Sequence, residues 1–245
     1  MTETDGALAT RLATETGRLL LGVRASGDRD LGGAGDRMAH DFLAAQLRQH
    51  RAADAVLSEE ASDDPRRPTA DRVWIIDPLD GTREFAEPGR ADWAVHVALW
   101  QRGALTAGAV ALPALGRTYG TAAPEPAGSA FRHRIRIVVS RTRAPAFAER
   151  FASAVDGDLA PMGSAGAKAV AVVRGEADAY LHAGGMHEWD SAAPVAVAVA
   201  NGLHASRVDG SPLVYNRPDP WLPDLLICRP DLADVLLAEL AGVAA

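Results

Sequence analysis

The most constraining feature of this chain is an apolar run that leads directly into two aspartates, Val73-Trp74-Ile75-Ile76-Asp77-Pro78-Leu79-Asp80-Gly81-Thr82. Its first half is rich in β-branched and aromatic residues, which predicts a buried strand. Pro78 cannot donate to a strand ladder, so we expect the strand to end there. Gly81 permits a tight turn, which predicts that Asp77 and Asp80 lie close together at a strand end and face a cleft.

Two carboxylates at that distance repel each other, and burying them unpaired costs on the order of several kcal/mol. A hard divalent cation resolves the conflict, because Mg²⁺ takes oxygen ligands from one or two carboxylates and completes its shell with water and substrate phosphate. Taken alone, the same residues fit an ordinary Asp-Pro/Asp-Gly turn with solvated side chains equally well.

Two further acidic segments favour the metal site. Glu59 and Glu60 follow the apolar segment 55–57, and so lie at the end of a second short strand. Asp190 opens a helical segment. With Asp190 as the N-cap, Pro194 falls at the fourth helical position, where an N–H has no intrahelical partner to lose.

In this order, Glu59-Glu60, Asp-Pro-Leu-Asp-Gly-Thr at 77–82 and Trp-Asp-Ser-Ala-Ala-Pro at 189–194 resemble the signature of the Mg²⁺-dependent, lithium-sensitive phosphatases related to inositol monophosphatase. The spacing and flanks match from about residue 30 to about residue 230. The resemblance implies hydrolysis of a phosphate monoester by an activated water, in a site that holds two or three Mg²⁺ ions.

The resemblance also assigns the metal ligands. Glu59, Asp77 and the backbone carbonyl of Leu79 are expected to hold the first ion, while Asp77, Asp80 and Asp190 are expected to hold the second. Adjacent strand residues point in opposite directions, so we expect Glu60 to stay outside the ligand set.

A catalytic pair follows from the same resemblance. Asp36-Arg37-Met38-Ala39 is similar to the family's Asp-x-x-Ala segment, and Thr82 would hydrogen-bond Asp36 so that the pair orients and deprotonates the attacking water. From local pattern alone, Asp36 stands in the cap or first turn of a helix marked by Met38, Phe42, Leu43 and Leu47. We expect the glycine-rich stretch 27–35 before it to be a loop, because it follows no strand and lacks the Lys-Ser/Thr of a P-loop.

The residues after Thr82 indicate the substrate class. Arg83-Glu84-Phe85, and Pro88-Gly89-Arg90 followed by 92–96, look like the actinobacterial CysQ branch of the 3′(2′),5′-bisphosphate nucleotidases. Segment 139–143 resembles that branch's Ser-Arg-Ser, and Gly163-Ser164 with Lys168 resembles its Gly-Ser-Ser-x-x-Lys, although Ala165 replaces the second Ser. The expected substrate contacts are Gly81, Thr82, Arg83, Ser140, Arg141, Arg143, Ser164, Lys168 and Glu188.

A bisphosphate needs a cationic group remote from the metal ions, for which Arg141, Arg143 and Lys168 are candidates. Solvated arginines after a strand are the ordinary alternative. The resemblance therefore implies removal of the 3′-phosphate from adenosine 3′,5′-bisphosphate and from its sulfated form, as in sulfate assimilation. Hydrolysis of inositol-1-phosphate or fructose-1,6-bisphosphate is the alternative within the class, and a catalytically silent metal-binding homologue is the alternative outside it.

A haloacid-dehalogenase phosphatase is a less suitable interpretation. Its Asp-x-Asp-Gly-Thr motif has one residue between the aspartates and lies on the first strand, whereas here Pro78 and Leu79 both intervene.

The overall charge limits the partners. A formal net charge of −7 argues against a nucleic-acid polymer as ligand, whereas a small phosphorylated nucleotide remains suitable because bound metal ions supply positive charge. Cys228 is the only cysteine, so there is no disulfide framework. No signal peptide and no run of membrane-spanning length is present, which predicts a cytoplasmic protein with no membrane contact. A homodimer is compatible with the sequence.

The pattern of elements predicts an α/β protein built as a layered αβαβα sandwich. An N-terminal α+β half (1–125), with an antiparallel sheet and most metal ligands, would pack on a C-terminal α/β half (126–245) that carries Asp190 and substrate contacts. Helices are predicted at 4–23, 144–155, 164–173, 190–201 and 231–242, and strands at 92–100, 104–112, 117–121, 135–139, 177–182 and 225–228.

Overall fold

The computed structural model describes residues 3–124, 128 and 134–243. The described residues form seven α-helices and ten β-strands. The helices are α1 (Asp5–Ala25), α2 (Leu31–His50), α3 (Thr82–Ala86), α4 (Ala148–Ala154), α5 (Ala165–Val173), α6 (Glu188–Ala200) and α7 (Ala233–Val243). The strands are β1 (Ala55–Ser58), β2 (Arg72–Asp80), β3 (Ala94–Gln101), β4 (Ala104–Leu112), β5 (Arg117–Gly120), β6 (Ile135–Ser140), β7 (Gly157–Met162), β8 (Ala179–His187), β9 (His204–Ser206) and β10 (Trp221–Cys228).

The strands form two five-stranded sheets. The first has the order β1-β2-β3-β4-β5, in which β1 runs parallel to β2 and every other neighbour is antiparallel. The predicted antiparallel sheet is therefore confirmed for β2 to β5 and wrong for β1. The second sheet has the order β7-β6-β8-β10-β9 and is also mixed, with β6 parallel to both β7 and β8.

The two sheets and seven helices stack in five layers, as predicted. Helices α1 and α2 cover one face of the first sheet, α5 and α6 fill the space between the sheets, and α4 and α7 cover the far face of the second sheet. The apolar run at 73–76 of strand β2 follows from its position between two layers of helices. Trp74 and Ile76 pack under α1 and α2, while Val73 and Ile75 pack in the core around α5 and α6, so both faces of the strand are buried.

Helix α2 begins five residues before Asp36, so the prediction of a loop through Gly35 is wrong for 31–35. Asp30 is the N-cap and accepts from the N–H of Gly33, which places Asp36 in the second turn. A Cβ atom on Gly35 would lie 2.9 Å from Leu79 Cδ2 and 3.0 Å from Phe85 Cε1. The glycine is thus the contact face of a helix that packs closely on the end of β2, and this tertiary contact overrides the low helix propensity of glycine.

Several predicted boundaries also shift. The helix expected at 144–155 begins only at Ala148, and α6 begins at Glu188 with His187 as its N-cap, so Asp190 is the third helical residue and Pro194 the seventh. Strands β7 and β9 are not among the predicted elements, because β7 contains Gly157, Asp158 and Pro161, which are uncommon in strands, and β9 has only three residues. The predicted division at 125/126 lies outside the described residues. In the described part of the chain, no helix is long and apolar enough to cross a membrane.

Candidate active site

The two aspartates of the central stretch are brought together by a bulge at the end of β2. Asp77 pairs with His96 on β3, and the next pair is Asp80 with Ala94, so three steps along β2 match two steps along β3. Pro78 lies inside this bulge, where a missing N–H costs no ladder hydrogen bond, and the strand continues to Asp80. The prediction that Pro78 ends the strand is therefore wrong. The bulge cancels the alternation of a regular strand and allows Asp77 and Asp80 to face the same side.

Glu59 and Asp190 reach the same place from two other elements. β1 pairs in parallel with β2, with Ser58 opposite Ile76, so Glu59 leaves the sheet at the edge that carries Asp77. Asp190 stands in the first turn of α6, where its Oδ2 accepts from the N–H of His187 at 2.6 Å. One oxygen from each of Asp77, Asp80 and Asp190 lies within 4.8 Å of the other two.

The pKa values of three of these carboxyl groups are raised. Burial, followed by repulsion from Asp190 and Asp80, raises the pKa of Glu59 to about 7. Burial and the neighbouring carboxylates also raise the pKa of Asp77 well above its usual range, and burial with Asp80 raises the pKa of Asp190. The cluster is thus short of positive charge.

Asp80 differs from its neighbours. Burial alone would raise the pKa of Asp80, but the charges of His96 and Lys168 and the hydrogen bond from Ser164 outweigh burial and hold that pKa below its usual value. Its Oδ2 accepts from Ser164 Oγ at 2.5 Å and from the Gly166 N–H at 2.8 Å. The C-terminal half therefore fixes a carboxylate that the N-terminal half supplies.

A divalent cation with oxygen ligands suits this donor set. The carboxylates converge from different elements, burial and mutual repulsion raise the pKa values of Glu59, Asp77 and Asp190, and Leu79 lines the same cleft. Such a set fits Mg²⁺ better than an imidazole- or thiolate-preferring metal, because no described histidine or cysteine shares the cluster.

The carboxylates form one wall of a cleft of about 400 Å³. The opposite wall comes from the C-terminal half, from the ends of β6 and β8 and the start of α5. The expected site residues that line the cleft are Glu59, Asp77, Leu79, Asp80, Gly81, Thr82, Arg83, Ser140, Arg141, Arg143, Ser164, Lys168 and Asp190.

Asp36 and Thr82 are adjacent, although only Thr82 lines the cleft. Thr82 Oγ1 lies 3.5 Å from Asp36 Oδ1 and 3.2 Å from the Leu79 carbonyl, and its single proton can be donated to one of these two acceptors at a time. Burial, followed by repulsion from Glu60, raises the pKa of Asp36 to about 6. Glu59 and Glu60 are both exposed and neither belongs to the group of Asp77, Asp80 and Asp190, but Glu59 lines the cleft and Glu60 does not.

The basic candidates differ in how they are paired. Arg141 forms ion pairs with Glu84 at 2.6 Å and Glu87 at 3.2 Å. Lys168 is buried, and its Nζ donates to the carbonyls of Ser164 at 2.6 Å and Gly163 at 3.2 Å. Burial lowers the pKa of Lys168 to about 8. Arg143 lines the cleft and forms no ion pair with any residue in the described ranges, and the same holds for Arg83.

Glu188 does not line the cleft. Its side chain is fully buried and accepts from the N–H groups of Asn216 at 2.7 Å and Arg217 at 2.9 Å. The same loop is held from the other side by Arg67, which donates to Asn216 Oδ1 and to the Arg217 carbonyl. The structure therefore gives Glu188 contacts that anchor a loop beside α6, in place of the predicted substrate contact.

His96 is the functional candidate that reasoning from the sequence missed. From the sequence it is only one residue of the segment 92–96, which looks like the actinobacterial CysQ branch, and no role is assigned to it. In the structure its Nε2 lies 3.1 Å from Asp80 Oδ2, behind the acidic wall. A histidine in an otherwise apolar strand was the available signal.

Comparisons with known proteins agree with this geometry. The model of the inositol monophosphatase family matches residues 3–241. The chain is 52% identical to the 3′-phosphoadenosine 5′-phosphate phosphatase of Mycobacterium leprae, over 98% of this chain and 94% of that protein. It is 31% identical to the 3′(2′),5′-bisphosphate nucleotidase CysQ of Escherichia coli, over 77% of this chain and 81% of that protein.

A solved structure shows the same fold. The inositol monophosphatase of Anabaena superposes with a TM-score of 0.81 at 20% identity, covering 96% of this chain and 94% of the other.

Proposed function

Because this chain belongs to the inositol monophosphatase family, we propose that it is a phosphoric monoester hydrolase that removes the 3′-phosphate of adenosine 3′,5′-bisphosphate and of its sulfated form. The observation that carries the proposal is one cleft with a cluster of three carboxylates, two of them buried, on one wall and, on the other, an arginine that forms no ion pair with a described residue. The relatives' names support a nucleotide substrate.

We propose that Mg²⁺ is the metal, with two or three ions held by Glu59, Asp77, Asp80, Asp190 and the Leu79 carbonyl. When bound, Mg²⁺ supplies the Lewis acidity that activates a water and neutralises charge on the phosphoryl group. The protein contributes the placement of these oxygens through the bulge in β2 and the first turn of α6.

Asp36 and Thr82 handle the proton in this scheme. The Thr82 hydroxyl donates to Asp36 Oδ1, which leaves its lone pairs free to accept from a water in the cleft. Asp36 then receives the proton through that hydroxyl. Its pKa of about 6 suits a general base near neutral pH, because the efficiency of such a base is highest when its pKa lies near the working pH.

Arg143 is the proposed partner of the second phosphate. Arg141 is already neutralised by Glu84 and Glu87, and Lys168 is directed to two carbonyl oxygens. Arg143 alone among the three candidates keeps its charge free, since it forms no ion pair within the described residues. A charge-assisted contact with the 5′-phosphate would favour a bisphosphate over a substrate with one phosphate.

A cytoplasmic location, a homodimer and the division into halves 1–125 and 126–245 remain predictions, and we propose them alongside this function.

A substrate panel tests the proposal. Phosphate release at saturating Mg²⁺ is measured for adenosine 3′,5′-bisphosphate, its sulfated form, inositol-1-phosphate, fructose-1,6-bisphosphate and adenosine 5′-monophosphate. We expect kcat/KM for the adenosine bisphosphate to exceed that for inositol-1-phosphate by roughly tenfold to a hundredfold, the value of one charge-assisted contact. Chromatography of the product should show adenosine 5′-monophosphate.

The matched blank is Asp190→Asn protein purified in the same way, which reports contaminating phosphatase. Equal kcat/KM for inositol-1-phosphate and the adenosine bisphosphate would overturn the nucleotidase assignment and leave a general phosphatase. No release from any of the five compounds would favour the catalytically silent homologue.

A further inference from the structure

His96 is a fully buried polar side chain in a strand face that is otherwise small and apolar. Its relative exposure is 0%, and its neighbours on the same face of β3 are Ala94 and Ala98. This face packs against the layer of α5 and α6. His96 does not line the cleft, so it is available neither to substrate nor to solvent. A buried imidazole without a role is costly, because its two nitrogens must be satisfied inside the protein.

The ring contacts two elements that carry metal ligands. Its Nδ1 lies 3.1 Å from the backbone carbonyl of Trp189, the residue directly before Asp190. Because a carbonyl oxygen only accepts, Nδ1 is the donor in this bond. On the other side, Nε2 lies 3.1 Å from Asp80 Oδ2, which is within ion-pair distance for a ring that carries both protons, and it forms no regular hydrogen bond with a described residue. One ring thus spans the gap between the end of β2 and the start of α6.

The imidazole of His96 is closely packed against α5. A Cβ atom on Gly166 would clash with Nε2, so the glycine is needed to let α5 approach the imidazole. The Gly166 N–H donates to the same Asp80 oxygen that Nε2 approaches. Asp80 Oδ2 is therefore enclosed by Ser164, Gly166 and His96, while no described residue donates to Oδ1.

We propose that His96 is a positioning residue of the metal site: its imidazole ties Asp80 on β2 to the first turn of α6 and so sets the spacing between the Asp80 and Asp190 carboxylates. It acts from behind the ligands and touches neither the substrate nor the cleft. Groups that orient metal ligands in this way typically change metal affinity by about 10–100-fold when they are replaced. The inference rests on the proposed metal site, but its test does not need catalysis.

The experiment is Mg²⁺ binding by titration calorimetry on the full-length protein, without substrate. His96→Leu keeps the volume similar and removes both polar contacts, and we expect it to weaken Mg²⁺ binding by about 10–100-fold. His96→Asn keeps a polar atom near the position of Nδ1, and His96→Gln keeps one near Nε2. Each should retain one contact and show an affinity between those of the wild-type protein and His96→Leu.

The matched control is Val97→Ala, the next residue on β3. Val97 is fully buried but belongs to the core under α1 and α2, so its truncation loosens the same strand without touching the ligands. We expect this variant to lower the melting temperature of the metal-free protein and to bind Mg²⁺ like the wild type.

Several outcomes would overturn the role of His96. One is His96→Leu binding Mg²⁺ as tightly as the wild type, and another is Val97→Ala losing as much affinity as His96→Leu. If His96→Leu does not fold, wild-type affinity in both His96→Asn and His96→Gln would overturn the role equally. Failure of the wild-type protein itself to bind Mg²⁺ would instead overturn the proposed function, which separates the two results.

Discussion

The two walls of the cleft differ in how far their charged side chains are paired within the protein. On the acidic wall, carboxylates from β1, β2 and α6 face one another, and the pKa values of Glu59, Asp77 and Asp190 are raised because the protein leaves most of their charge uncompensated. On the basic wall most charge is compensated in advance. Arg141 is paired with Glu84 and Glu87, and Lys168 is held by backbone carbonyls.

This difference indicates which wall depends on a bound metal ion. A cluster of like charges gains most from a bound cation, so the acidic wall should control turnover. A wall whose charges are already paired contributes shape more than binding energy, and only its free cation adds affinity. In the proposed scheme, catalysis therefore depends mainly on the acidic wall and substrate choice on the opposite wall.

The largest effect is expected for Asp190→Asn on the acidic wall. This variant should reduce phosphate release below the detection limit. The amide preserves volume, and its oxygen can still accept from the His187 N–H, so α6 should keep its first turn. What is lost is one ligand charge, and ligand charge governs affinity for a hard cation. Phosphate release is measured at saturating Mg²⁺, with circular dichroism as the check on folding. Near-normal phosphate release by a folded variant would show that Asp190 is not a metal ligand.

Thr82→Ala should have the next largest effect, a loss on the order of 10²–10⁴ in kcat, the usual value of a positioned proton relay. Thr82→Ser, which retains the hydroxyl that reaches Asp36 Oδ1, is the control and should recover most of the rate. Steady-state kinetics on the preferred substrate separate kcat from KM. If kcat survives and only KM rises, Thr82 anchors phosphate and the pair with Asp36 is not a relay.

On the basic wall, Arg143→Ala should lower kcat/KM for adenosine 3′,5′-bisphosphate by roughly tenfold to a hundredfold, corresponding to about 1.5–3 kcal/mol for a charge-assisted contact. A substrate with a single phosphate should be affected little. Arg83→Ala is the matched control, since Arg83 also lines the cleft without an ion pair to any described residue. A larger loss of bisphosphate preference in Arg83→Ala than in Arg143→Ala would show that Arg83, and not Arg143, binds the second phosphate.

The smallest effect is expected for Arg141→Ala. Because Glu84 and Glu87 already neutralise this guanidinium, the preference for a bisphosphate should change by no more than a few-fold. The measurement is the ratio of kcat/KM for the bisphosphate to that for a monophosphate, compared directly with the ratio in Arg143→Ala. A collapse of the ratio in Arg141→Ala would show that the paired arginine binds substrate and that the contrast between the walls is wrong.

Much of the architecture could be predicted because it depends on neighbours along the chain. The apolar runs, the hairpin between β3 and β4 and the order of strands and helices indicated the layered fold. The three acidic segments, each at the end of a strand or the start of a helix, indicated the cluster of Asp77, Asp80 and Asp190 and the place of Glu59 in the same cleft. These signals are local, and tertiary packing preserved them.

The placement of several other residues could not be predicted in this way. The bulge at Pro78, the helical state of 31–35 and the burial of Glu188 against Asn216 and Arg217 all depend on contacts between distant segments. The glycines before Asp36 have weak helix propensity, but the Asp30 cap and the close packing of Gly35 on Leu79 and Phe85 favour the helix there.

The sequence by itself determined which residue types could hold a hard cation and at which element ends they stand. Only the tertiary structure decided which charges remain free, with Arg141 and Lys168 satisfied internally and Arg143 not, and which buried group braces the ligands, His96. The physical reason is that ion pairing and burial are set by residues far apart in the chain: Arg141 finds Glu84 across 57 positions, and His96 finds Trp189 across 93.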